Sequence, residues 1–158
     1  MKLKIILLML VSQIVSISLL AQSNQQVKDV FDLYGKQKGA VMVQLSTDIL
    51  ASKSRITLYK SLVVNNDEDV RQSVSEILGN ENLILKEISV VRKNGKTVNG
   101  VYLMSESTTG KSKVYEYLLY NLSSKLTFVY LRGDFPPDDL DNELKKLKDL
   151  FIYLNKSK

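Results

Sequence analysis

The chain predicts an α+β fold, a mainly antiparallel sheet of about five to six strands with helices packed on one face. Three observations predict it. Residues Leu83 to Arg132 divide into four runs of Val, Ile, Leu, Tyr and Phe separated by turn signals, the pattern of a four-strand meander. Two shorter runs, Ala40–Leu45 and Arg55–Val64, add upstream strands. Three other segments repeat their apolar residues with helical spacing, and an isolated amphipathic helix is marginal in water, so each stripe must dock on the sheet.

The first 21 residues stand apart from the fold. Lys2 and Lys4 precede a mostly apolar stretch from Ile5 to Leu20, and Ala21 supplies a small residue before a cut, the organisation of an export signal. The expected product is a single domain over residues 22–158, in the periplasm, in the cell envelope or secreted. The alternative is an uncleaved membrane anchor, although Ser12, Gln13, Ser16 and Ser18 interrupt a stretch already short for a bilayer span. Removing Lys2 and Lys4 reduces the formal charge from +5 to 20 basic against 17 acidic residues. That balance calls for no nucleic-acid partner. No membrane association is expected once the leader is gone.

Val27, Val30, Phe31 and Tyr34 recur at i, i+3, i+4 and i+7 and predict a short helix, ended by Gly35 or Gly39. Ala40–Leu45 reads as a buried strand, and Thr47–Ala51 as a single helical turn. Arg55–Val64 alternates as a strand. Asn66 or Asp67 then opens a helix whose first turn carries Glu68 and Asp69, where the macrodipole favours negative charge. Its inner stripe is Val70, Val74, Ile77 and Leu78, and Gly79 stops it. In the meander, Lys93-Asn94-Gly95 predicts a two-residue type I′ hairpin, and Thr108-Thr109-Gly110 a second turn. Pro136 and Pro137 bar further strand. Asp138 is the expected N-cap of a last helix, with Leu140, Leu144, Leu147, Leu150, Phe151 and Leu154 on one face.

The chain has neither His nor Cys, which removes Ser-His-Asp and Cys-His catalysis, histidine-ligated zinc and thiol redox chemistry. No cofactor is expected. Gly110-Lys111-Ser112 matches the end of a phosphate-binding loop, but Ser105 stands where the motif needs Gly and no helix follows. Asn65, Asp67, Asp69 and Glu76 fall on calcium-loop positions, but Val70 occupies the obligatory glycine. Two clusters remain. Tyr102, Tyr115, Tyr117 and Tyr130 could form an aromatic patch for a ligand or partner protein; packing within the core is the competing reading. Asp134, Asp138, Asp139 and Asp141 form a weak acidic cluster, which an acidic helix start also explains.

Near the mature start, Phe31, Tyr34, Gly35, Lys38, Gly39, Met42, Val43 and Leu45 fit the pattern F-x-x-Y-G-x-x-K-G-x-x-M-V-x-L, and Asn94, Gly95, Gly100 and Tyr102 fit N-G-x-x-x-x-G-x-Y. In these the chain resembles a family of small exported domains of unknown function from Gram-negative gut-type bacteria, over about residues 27 to 130. The resemblance implies export and a shared scaffold. The matched residues are turn glycines and core apolars, so it implies no catalytic residue. The expected function is therefore a non-catalytic binding or interaction module for an envelope protein or a small ligand. A small hydrolase or lyase using Asp or Glu with Tyr or Lys is the alternative.

Overall fold

The computed structural model describes residues 25–50, 54–79 and 85–156, with side chains to residue 152. The expected leader and the expected strand start at Leu83 lie outside them. In order come α1 (25–34), β1 (Val41–Ser46), the single-turn α2 (Thr47–Leu50), β2 (Ile56–Asn65), α3 (Glu68–Leu78), β3 (Lys86–Lys93), β4 (Lys96–Thr109), β5 (Ser112–Leu122) and β6 (Lys125–Gly133). A 3₁₀ turn at Pro137–Asp139 leads into α4 (Leu140–Lys156).

The six strands form one sheet in the order β1-β2-β6-β5-β4-β3, and every neighbouring pair is antiparallel. The fold is thus α+β, and β3–β6 make the expected meander. Its turns follow from local chemistry. Asn94 (φ 50°) and Gly95 (φ 73°) both take the left-handed conformation that a type I′ turn needs. At the next turn only Gly110 does (φ 64°), as a type II′ turn needs.

The helices do not share one face, which corrects the expectation. Val27, Val30, Phe31 and Tyr34 of α1 pack with Val70, Val74 and Ile77 of α3 over Leu62, Val64, Leu118, Tyr120, Leu126 and Phe128. The Tyr34 hydroxyl ties the two helices together: it donates to the Asp69 carbonyl at 3.2 Å and shares a 2.6 Å hydrogen bond with Ser73. On the other face Leu140, Leu147 and Leu150 of α4 cover Tyr115, Tyr117, Leu131, Ile56 and Phe135. The central strands β5 and β6 present large apolar residues both ways, so a cover on one side would leave the other wet.

Two further expectations are corrected. The apolar run of β1 is buried only at Leu45: β1 is an edge strand, with Val41 and Met42 54% and 47% exposed. Asp138 is not an N-cap; the 3₁₀ turn starts at Pro137 after Pro136, and Asp138 lies inside it. The inner stripe of α4 also carries a carboxylate, the fully buried Glu143.

Candidate functional site

α1 and α3 leave one end of their sheet face uncovered, and the strand register brings polar residues together there. One row runs Gln44–Lys60–Tyr130–Leu118 across β1, β2, β6 and β5. The next runs Leu58–Arg132–Glu116–Ser105 across β2, β6, β5 and β4. Ser105 reaches this row because the β4–β5 register shifts between Leu103 and Ser105, a bulge that re-aims the following side chains. Side chains of Gln44, Leu58, Lys60, Glu116, Tyr130 and Arg132 line a cleft of about 350 Å³, closed on one side by Val27, Lys28 and Phe31 of α1.

The cleft is half apolar and positively charged. The Lys60 ammonium sits 4.7 Å from the centre of the Phe31 ring, a cation–π geometry that fixes its position. Glu116, only 13% exposed in its side chain, accepts from the Ser105 hydroxyl at 2.9 Å and lies 4.0 Å from the Arg132 guanidinium. Burial pushes the Tyr130 phenol well above its ordinary range. The charge of Glu116 and a hydrogen bond with it push the same way, with Arg132 opposing. Tyr130 is therefore a protonated hydrogen-bonding group at neutral pH. Lys28, Lys60 and Arg132 line the cleft with one carboxylate, Glu116, which leaves it suited to an anionic group with an apolar portion.

The four tyrosines expected as a patch do not form one. Tyr102, Tyr115 and Tyr117 are buried. Tyr102 packs under α1 and α3, whereas Tyr115 and Tyr117 lie in the core under α4. Only Tyr130 reaches the cleft. Tyr117 is held by the chain that follows β6: its hydroxyl donates to the Phe135 carbonyl at 2.6 Å, and the two rings stack 5.2 Å apart.

The acidic cluster disperses as well. Asp134, Asp138 and Asp141 are exposed, and Asp139 pairs with the Arg55 guanidinium at 2.6 Å. Among the described residues no group of three or more His, Cys, Asp or Glu gathers to hold a metal ion. Glu143 instead forms a structural lock. It accepts from the Ser54 hydroxyl at 2.8 Å, the Arg55 amide at 2.9 Å and the Lys146 ammonium at 2.7 Å.

The cleft residues Lys60, Glu116 and Arg132 drew no attention in the sequence. Each sits in a strand run where a single charge reads as a solvated face. Their convergence depends on pairing β2 with β6, which no local signal reveals. Among the described residues no helix is long and apolar enough to cross a membrane. Residues 14–144 match the profile of DUF6108, a family of unknown function. No curated protein matches the chain.

Proposed function

The chain belongs to the family of unknown function DUF6108, and for this member we propose an exported, non-catalytic binding module that takes a small anionic ligand in the cleft beside α1. Export rests on the leader, with its Lys2 and Lys4 ahead of the apolar run. The binding reading rests on one observation: three cations, Lys28, Lys60 and Arg132, converge with one glutamate on a cleft that also offers Val27, Phe31 and Leu58 as apolar wall. A carboxylate bearing a short hydrocarbon tail satisfies both halves, because the cations supply charge-assisted hydrogen bonds and the wall supplies apolar contact.

A hydrolase or lyase built on Glu116 and Tyr130 is the weaker reading. The Tyr130 phenol is pushed up by burial and by Glu116, away from the near-neutral value that a general base or acid works best at.

The test is calorimetric titration with straight-chain carboxylates of increasing length, against the matching alcohols. Carboxylates are expected to bind more tightly as the chain grows, alcohols to bind at least tenfold more weakly, and Lys60→Gln with Arg132→Gln to erase the difference. Equal binding of acid and alcohol, or no change in the double variant, would refute the reading.

A further inference from the structure

The sheet ends in two edges that are built differently. The outer strand β3 reads KEISVVRK, carries Lys86, Glu87, Arg92 and Lys93, and has two register shifts against β4. Charge and irregularity are the means by which proteins keep an edge from pairing with another chain. The opposite edge, β1, reads VMVQLS. It has no charged residue, proline or glycine, and pairs with β2 over six residues without a shift. Val41 and Met42 are about half exposed on it. Among the described residues one edge is guarded and the other is left open to a strand.

We propose that β1 pairs antiparallel with β1 of a second copy of this chain, joining the two sheets edge to edge about a two-fold axis. The sequence around the strand selects a copy of itself. Lys36 and Lys38 precede β1 and Asp48 follows it, so antiparallel pairing lays the basic approach of each copy beside the acidic exit of the other. A ladder of this kind joins residues that face the same way, so the two-fold can pass through Val43. Met42 then stands opposite Gln44 of the second copy, and Lys38, in the turn before β1, lies at the end of the ladder where the other copy's Asp48, in α2, also lies. Gln44 lines the cleft, so each copy sets its Met42 beside the other's binding site, on one continuous face of the joined sheet. With the axis at Val43 the ladder joins residues 41–45 of each copy, which is small beside a stable interface, so the dimer is weak and concentration-dependent.

Sedimentation equilibrium on the product purified from an exporting bacterial host, over a broad concentration range, tests this directly. The wild-type mass is expected to double as concentration rises. Met42→Lys with Gln44→Lys sets like charges opposite each other twice and is expected to weaken the dimer at least about tenfold. Met42→Lys with Gln44→Glu restores opposite charges across the axis and is expected to keep the dimer. Val91→Lys, on the β3 edge, is expected to leave it unchanged. Circular dichroism melts of each variant separate dissociation from unfolding. A wild-type mass that stays monomeric overturns the proposal without recourse to any variant. So does a folded double-lysine variant that still dimerises, or a Val91→Lys protein that dissociates.

Discussion

Glu143 Oε2 accepts a hydrogen bond from the backbone amide of Arg55 at 2.9 Å, across 88 residues of sequence. The bond fastens the start of β2 to the first turn of α4. Burial pushes this carboxyl up, but hydrogen bonds from Lys146, from the Arg55 amide, from Ser54 and from the Arg55 guanidinium outweigh it and hold the group at about 2, below the ordinary 4.5. A depressed folded-state value contributes stability that is present above the unfolded value and lost as pH falls through the folded one. The wild-type protein should therefore lose about 2 kcal/mol between roughly pH 5 and pH 2, an amount reduced by the partial exposure of Arg55 and Lys146. Urea unfolding at a series of pH values checks this. Glu143→Gln should flatten that part of the profile, and Glu143→Ala should cost about 3 kcal/mol at neutral pH by leaving buried donors unpaired.

Tyr117→Phe keeps the ring stack on Phe135 and removes only the donor to the Phe135 carbonyl. The carbonyl is left without that partner in the core under α4. The expected loss is about 1–2 kcal/mol in urea unfolding, with the slope unchanged. A loss below a few tenths would mean that water or another donor replaces the hydroxyl.

Gly133 closes β6 against two neighbours. A Cβ there would lie 2.3 Å from the Phe135 ring and 2.5 Å from the Arg55 carbonyl oxygen. The second of these is backbone and cannot swing aside, so Gly133→Ala should destabilise by about 3 kcal/mol. Gly95→Ala is the contrast. Nothing lies within 4 Å of its Cβ position, and only the left-handed φ of 73° penalises a side chain, by about 1 kcal/mol. Thermal melts of the pair should fall in that order.

Tyr117, Tyr120 and Tyr130 each have a phenol pushed up first by burial from the ordinary 10.0. A raised value in the folded state means that their contribution is fully present below the unfolded value and is lost as pH rises through the folded one. Absorbance titration should show these three ionising late, and the protein should unfold cooperatively above about pH 10 as they do. A Tyr130→Phe variant should lose part of that late phase. An unchanged late phase in this variant would show that Tyr130 does not belong to it.

The parts of the fold legible in the sequence are those decided within a few residues. Asn94-Gly95 dictated its hairpin because both positions must take positive φ, and the stripe of Val27, Val30, Phe31 and Tyr34 is buried as its spacing requires. Strand order is not local, and the misreadings arise from it. The run VMVQLS is apolar enough for a central strand, yet it falls at the edge because β6 takes the other side of β2. An amphipathic stripe such as Leu140, Leu147 and Leu150 says that α4 has an inner face, but not which side of the sheet it meets. Parity separates the tyrosines: Tyr115 and Tyr117 point to the α4 side, whereas Tyr120 of the same strand points to the α1 side. The cleft draws on four strands and a helix, so its members carry no common spacing.

The pairing of β2 with β6 also sets an order of events. Asn65 must find Lys125 and Ile56 must find Gly133, so a chain delivered amino end first carries β1 and β2 as a lone ribbon until the last strand arrives. Two-stranded ribbons are marginal in water, and distant pairings form slowly. A protein wired this way cannot mature piecemeal: its amino-terminal third needs shelter until the whole meander has emerged, and a truncation before Gly133 should produce not a smaller domain but an aggregating one.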